Sequence, residues 1–212
     1  MHAVADVVLF VALTLFFAAC CVHRLQTMFV DPTMATVRVQ DLRPRNGDLF
    51  FFNANTAITL LSAAWTHLGI VIEVRGCPAL LHITPESPCP TIEPLDTVLR
   101  TYLAQAHWDV GYRGARRRVS TRTMARAMWR CRHLKYTHSY WRTGLNNITG
   151  YMLPVPQHVP VGPGTFCSDL VCRVALYAGL LSDAADAIPC TMLPGTWQSH
   201  VWHPPVRVVD LS

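Results

Sequence analysis

Apolar residues recur along the chain at strand spacing in some segments and at helix spacing in others. The run His67 to Val74 (HLGIVIEV) predicts a strand, and Ala79 to Thr84 (ALLHIT) predicts its return partner after a Gly-containing turn. Leu49 to Phe52 predicts a short buried strand, and Val206 to Val209 predicts a last one. These segments indicate a sheet with hairpin connections.

Three longer segments predict helices: Leu95 to Ala106, Val119 to Leu134 and Cys167 to Leu181. Residues 144–164 carry four prolines and four glycines and predict a long loop. Strands and helices are mixed along the chain. The pattern therefore predicts an α+β fold in which an antiparallel sheet packs against helices.

An uncharged apolar run, Val7 to Val22, precedes this pattern and predicts one N-terminal transmembrane helix. We therefore divide the chain into an anchor (1–25), a linker (26–45) and one domain (46–212). The positive charges that follow the run, from Arg24 onward, favour a single-pass protein with its domain on the cytoplasmic side. Phe17-Ala18-Ala19-Cys20 also resembles a lipoprotein cleavage site, which would place the domain outside instead.

Half of the residues are hydrophobic and the formal net charge is only +5, which is typical of a folded domain. The charge is nevertheless concentrated, because nine of the eighteen Lys and Arg residues lie between Arg113 and Lys135, a span without an acid. A solvated helix face is the plainest interpretation. Contact with anionic lipid is the second, and nucleic-acid binding is the weakest because no recognition motif accompanies the charge.

Eight cysteines occur without a C-x-x-C pair, so their spacing predicts neither a zinc site nor a disulfide scaffold. We expect most of them to be free thiols, with a Cys77–Cys89 bridge as the alternative for a domain outside the cytoplasm.

Cys167 is the candidate nucleophile, because it follows the loop Pro163-Gly164-Thr165-Phe166 and begins a predicted helix. Unpaired N–H groups at a helix start favour an anion, so we expect a lowered thiol pKa and an oxyanion donor in the Cys167 amide. Asp169, two residues later, would oppose thiolate formation if its carboxylate pointed towards the sulfur. A buried structural cysteine is the alternative interpretation.

His67, at the head of its strand, is the candidate general base for this thiol. A base needs a polar partner on its other ring nitrogen, and His82 on the return strand is placed to supply one. Glu86, four residues later, is the competing candidate for that third position.

Three strings in this order resemble the circularly permuted NlpC/P60-type papain-like hydrolases, and in particular the YiiX/YaeF-like amidase branch with its poxviral members. They are Gly47-Asp48-Leu49-Phe50, Thr66-His67-Leu68-Gly69-Ile70-Val71-Ile72 and Phe166-Cys167-Ser168-Asp169-Leu170-Val171. The resemblance covers roughly residues 44 to 200. It implies a permuted papain-like fold, Cys167 as nucleophile, His67 as base, and a third polar position that falls on His82.

Together these features predict a membrane-anchored cysteine hydrolase or acyltransferase that acts on an amide, peptide or acyl-ester bond, with a lipid-linked substrate as one option. No metal or organic cofactor is implied, and no specific nucleic acid is expected. The alternative is a catalytically inactive membrane-anchored binding module that uses the basic segment 113–135 to contact anionic lipid or a partner.

Overall fold

The computed structural model describes residues 34–53, 67–105, 109–136, 164–165, 167–181 and 201–210. The strands are β1 (Thr36–Arg38), β2 (Leu49–Asn53), β3 (His67–Val74), β4 (Cys77–His82), β5 (Thr91–Pro94), β6 (Asp109–Arg113), β7 (Lys135–Tyr136), β8 (Gly164–Thr165) and β9 (Val206–Val209). The helices are α1 (Leu95–Leu103), α2 (Thr121–Cys131) and α3 (Cys167–Tyr177), with a short 3-10 turn at Val39–Asp41.

Seven of these strands form one sheet in the order β1-β9-β6-β2-β3-β4-β5. Neighbours from β9 to β5 pair antiparallel, whereas β1 pairs parallel to β9. The remaining two, β7 and β8, pair parallel with each other. The described residues therefore form an α+β structure, as the sequence predicts.

Both faces of the sheet are buried, which explains why every residue of β2 is inaccessible to solvent. Alternate residues Leu49 and Phe51 face α2 and α3, while Phe50 and Phe52 face α1. Helices therefore cover both faces of the sheet. The side chains at the ends of its strands are the ones that can form a site.

The Gly47-Asp48 turn fixes the start of β2. Gly47 has a φ of 93°, a conformation that favours glycine. Buried Asp48 accepts hydrogen bonds from the Arg45 amide (2.8 Å), the Ala115 amide (2.7 Å) and the Tyr112 hydroxyl (2.6 Å). This carboxylate joins the turn to β6 and the residues after it, so its role is structural, in agreement with the turn that the sequence predicts.

Several elements differ from the sequence predictions. The return strand begins two residues earlier than expected, and all three helices are shorter. Thr36–Arg38, inside the predicted linker, pairs with β9. Residues 85–94 are rich in proline and match none of the predicted strands, yet their last four form β5.

The basic segment is not one continuous helix face. Arg113 belongs to β6, is 3% exposed, and donates from Nε to the His203 carbonyl at 2.7 Å. A packed strand position accounts for its burial, so Arg113 is not part of a cationic surface. The helix within the segment covers only Thr121–Cys131.

Within the described residues, no helix is long and apolar enough to span a bilayer. The predicted anchor, residues 1–25, and most of the 144–164 loop lie outside the described residues.

Candidate active site

His67 and His82 are brought together by the register of the β3–β4 hairpin. Ile70 pairs with Leu81, so His82 lies across from Gly69 and diagonal to His67 on the same face of the sheet. The Nε2 atom of His67 is 2.9 Å from Nδ1 of His82. The two predicted site histidines therefore share a hydrogen bond.

The next member of the chain of hydrogen bonds is Glu93 on β5. His82 pairs with Thr91, which places Glu93 diagonal to His82 on the same face. Nε2 of His82 is 3.1 Å from Oε1 of Glu93, whose side chain is 47% exposed. The carboxylate in contact with His82 is thus Glu93, where the sequence had offered Glu86 as the acidic candidate.

These contacts define the tautomers of a neutral histidine pair. An ionised Glu93 carboxylate can only accept, so His82 donates from Nε2 and accepts at Nδ1. His67 then donates from Nε2 to His82, and its Nδ1 carries the lone pair. This arrangement leaves Nδ1 of His67 as the atom that can take up a proton.

Cys167 begins α3, and its sulfur lies beside the start of β3. The Val71 amide donates to the Asp48 carbonyl on the β2 side at 2.7 Å, so by strand alternation the Leu68 amide points to the β4 side. The β3–β4 pairing starts only at Ile70. Beyond that pairing, the Leu68 amide is one of the backbone groups that lower the pKa of the Cys167 thiol. Cys167 therefore lies in the neighbourhood of Leu68, the residue after His67.

The thiol is neutral in this structure. Burial raises the pKa of Cys167 to about 11, although the backbone amides of Leu68, Ser168 and Cys167 itself each lower it. The prediction that the helix start would give Cys167 a low pKa is therefore wrong. The N–H groups are present, but the loss of solvent outweighs them.

The imidazole of His67 is neutral as well. Burial is the main cause that lowers the pKa of His67 to about 3, and the neighbouring charge of His82 is the second. The site therefore holds a neutral thiol and a neutral base, and an ion pair would form only when a reacting group arrives.

Asp169 does not carry an uncompensated charge beside the sulfur. Its carboxylate is 1% exposed and forms a two-point ion pair with Arg173, one turn along α3, at 3.2 Å (Oδ1 to Nε) and 3.1 Å (Oδ2 to Nη2). A pair of this geometry satisfies both buried groups. The complication that the sequence raised at this position is thereby resolved.

Aromatic side chains form a wall next to the histidines. The Phe52 ring lies 5.7 Å from the His67 ring and 4.2 Å from the Tyr102 ring, centroid to centroid. Burial raises the pKa of Tyr102 to about 12, and negative charge on Glu93, Glu86 and Cys167 adds to the effect. Tyr102 thus keeps its proton and offers a hydroxyl donor within electrostatic range of the thiol.

The other cysteines differ in state. Cys77 and Cys89 are free and exposed, so the alternative bridge between them is absent, and Cys131 is free and buried. Cys172 is disulfide-bonded. Four of the five described cysteines are therefore free, as expected for most of them, and Cys172 is the exception.

Comparisons with known proteins found a weak structural similarity. No protein-family model matches the chain, and no curated protein sequence matches it. The chain is similar in structure to YiiX. That structure is described as the metalloprotein YiiX from Escherichia coli O157:H7, DUF1105. The two share 14% identity with a TM-score of 0.44, over 65% of this chain and 67% of that one.

YiiX gives its name to the group that the sequence motifs resemble, but a likeness of this size transfers no activity and no residue role. The circular permutation, the papain-like fold and the poxviral branch stay predictions. Among the residues that the structure describes, no group of three His, Cys, Asp or Glu side chains is arranged to hold a metal ion.

Proposed function

We propose that this protein is a cysteine hydrolase or acyltransferase that cleaves an amide, peptide or acyl-ester bond and is tethered to a membrane by residues 7–22. The observation that carries the proposal is the series of hydrogen bonds from His67, at the head of β3, through His82 to Glu93, beside the helix that Cys167 begins and that packs against β3. A nucleophile, a base and an orienting group are the parts that acyl transfer needs.

The reaction begins when the Cys167 sulfur attacks the carbonyl carbon and its proton passes to Nδ1 of His67. The carbonyl oxygen becomes an oxyanion, for which the Cys167 amide is the proposed donor. When the intermediate collapses, His67 returns the proton to the leaving amine or alcohol, and a thioester remains on Cys167. Water or another acceptor then loses a proton to His67 and attacks the thioester carbonyl. The C–S bond breaks, the acyl group leaves on the acceptor, and His67 returns the proton to the Cys167 sulfur.

The neutral pair sets where the proton lies before attack. A pKa of about 11 for Cys167 and of about 3 for His67 leaves the proton on sulfur at rest, so His67 acts as a general base during attack. His82 and Glu93 stabilise the imidazolium that then forms, because the positive charge is shared along the hydrogen bonds towards a carboxylate.

The experiment is a test for the acyl-enzyme. The full chain in detergent is mixed with a p-nitrophenyl acyl ester, and peptide mass spectrometry locates the acyl group. We expect a hydroxylamine-sensitive thioester on Cys167, none in Cys167→Ala, and unchanged acylation in the matched control Cys131→Ala. His67→Ala should slow acylation by about 10²-fold or more.

Two glutamate variants separate the candidates for the third position. Glu93→Gln should slow acylation because it removes the charge that stabilises protonated His82 and His67, whereas Glu86→Gln should leave the rate unchanged. Acyl groups spread over exposed Cys77 and Cys89, or a Cys167 rate that does not depend on His67, would refute the enzymatic proposal. The raised thiol pKa would then favour the non-catalytic binding module.

A further inference from the structure

The exposed face of α2 combines arginines with an open aromatic ring. Buried Met124, Ala127 and Cys131 face the core. The opposite face, which we call the α2 basic face, consists of Arg122, Arg126, Trp129, Arg130 and Arg132, all exposed. Trp129 is 63% exposed, which is unusual for so large an apolar side chain.

Arginine and aromatic groups are in contact on this surface. The Arg132 guanidinium stacks over the Trp129 ring at 3.6 Å, and Arg130 lies over the ring of exposed Tyr177 on α3 at 5.2 Å. Within the described part of the chain, no carboxylate forms an ion pair with Arg122, Arg126, Arg130 or Arg132. The positive charge is therefore directed to solvent.

Helix stability accounts for part of this charge. Arg130 lies in the last turn of α2 and Arg132 donates to the Trp129 carbonyl at 2.7 Å, and both positions favour a cation. Arg122 lies instead in the first turn, which has no acidic residue, and a cation there opposes the helix dipole. Helix stability therefore does not explain Arg122, and a role in binding does.

The face is connected to the candidate active site. After α2 ends at Cys131, the chain forms β7, in which Lys135 pairs with Gly164 and Tyr136 with Thr165. Those partners precede Cys167 in the chain by three and two residues. A ligand on the C-terminal end of the α2 basic face is thus one strand pair away from the segment that positions the sulfur.

We propose that the α2 basic face docks on an anionic lipid bilayer. Arginine supplies attraction to acidic headgroups, and an exposed indole flanked by cations is the composition found at membrane interfaces. The uncharged run Val7 to Val22 favours a bilayer over nucleic acid, for which the described residues offer charge but no recognition motif. The inference goes beyond the proposed chemistry and does not depend on it.

The test distinguishes docking of the α2 basic face from tethering by residues 7–22. The full chain is reconstituted into phosphatidylcholine nanodiscs with and without phosphatidylserine, so that residues 7–22 have a bilayer in both. Hydroxyl-radical footprinting then reads the oxidation of Trp129. We expect slower oxidation on the anionic discs than on the neutral ones, and loss of this protection at high salt.

Charge variants supply the control. Arg126→Gln with Arg130→Gln should lower the ratio of docked to undocked protein on anionic discs about 30-fold, from about 1 kcal/mol for each charge. Arg75→Gln with Arg100→Gln removes the same charge from exposed positions elsewhere and should preserve the protection of Trp129.

Three outcomes would overturn the proposal: equal Trp129 oxidation on both kinds of disc, protection that survives the Arg126 and Arg130 substitutions, or protection by added RNA without any by anionic lipid. Cys167→Ala is footprinted in parallel. Its protection should match wild type, so that a failure of catalysis and a failure of docking are told apart.

Discussion

At the scale of single residues, the site is organised by desolvation. Burial raises the pKa of Cys167 and lowers that of His67, and in both cases it disfavours the charged form. The helix-start amides reduce the effect on the thiol without reversing it. A thiol that stays protonated at rest is protected from adventitious oxidation, because the thiolate is the reactive species.

The lowered pKa of His67 predicts an acid-sensitive fold. Its folded-state pKa of about 3 lies below the ordinary value of 6.5, so its contribution to stability is complete above pH 6.5 and is lost as the pH falls towards 3. The loss is at most about 1.4 kcal/mol per pH unit. Urea unfolding of the full chain in one detergent, at several pH values, should show a shallower acid loss for His67→Gln than for wild type.

Exposed His133 provides the control for this measurement. His133→Gln removes a histidine without removing a desolvated one, and its free energy of unfolding should follow the wild-type curve. If His67→Gln lost stability in parallel with wild type between pH 6.5 and pH 3, the interpretation of His67 as a neutral, buried imidazole would be wrong.

Residues with a local signature were predictable, whereas Glu93 was not. Cys167 was identified from the helix that it begins, and His67 from the strand that it heads. Glu93 contacts His82 only because β5 pairs with β4, and the prolines of residues 85–94 argued against a strand there. β5 lies at the edge of the sheet, and an edge strand tolerates proline because only one of its sides must donate hydrogen bonds to a neighbouring strand.

At the scale of elements, close packing between β3 and β4 keeps the histidines aligned. A Cβ atom on Gly69 would lie 2.6 Å from Leu80 Cγ, so the Leu80 side chain fills the space that glycine leaves open. Leu80 and His82 are on the same face of β4. The group that approaches Gly69 is therefore a side chain on the neighbouring strand.

Gly69→Ala should therefore disturb both stability and the site. Overpacking of this kind typically costs about 1–3 kcal/mol, and displacement of Leu80 should also weaken the His67–His82 contact and slow acylation. Chemical denaturation of Gly69→Ala, Leu80→Ala and the double variant measures the coupling. Because Leu80→Ala removes the atoms that clash, the double variant should be no less stable than Leu80→Ala alone, and additive losses would contradict the packing argument.

The strands that the sequence missed share a physical cause. β6 (Asp109–Arg113) contains Gly111 and charged ends, so its own pattern is weak, yet it lies between β2 and β9 in the centre of the sheet. Tertiary pairing overrides local propensity at such a position. The hairpin of β3 and β4 was predictable because its partners are adjacent in the chain.

At the scale of the whole molecule, the proposed active site and the α2 basic face are both next to α3. Cys167 begins α3 and the site histidines lie on β3 and β4, while α2, packed against α3, presents a cationic surface to solvent. The pairing of β7 with β8 connects the two. This arrangement would let a bilayer bound at α2 present a lipid-linked acyl group to Cys167 without large movement of the sheet.

Iodoacetamide labelling of the free cysteines tests the arrangement across the molecule. Exposed Cys77 and Cys89 should react first in the native protein. Cys131 is 1% exposed with a pKa raised by burial to about 12, so it should react only as the protein unfolds. Cys167 should lie between, and its rate should rise about tenfold per pH unit from pH 7 to pH 10, because the thiolate fraction grows up to the pKa of about 11.

With a substrate-like acyl donor, Cys167 should move from an intermediate place to the first place in the order of cysteine reactivity. His67 can then take the proton during attack, so Cys167 should be acylated faster than Cys77 or Cys89 at neutral pH, and His67→Ala should abolish that advantage. A Cys167 alkylation rate that is already constant across neutral pH would indicate a standing thiolate–imidazolium pair and contradict the neutral site. A Cys167 that ranks with Cys131 towards both reagents would mean that the sulfur is sealed, and a sealed sulfur cannot be the nucleophile.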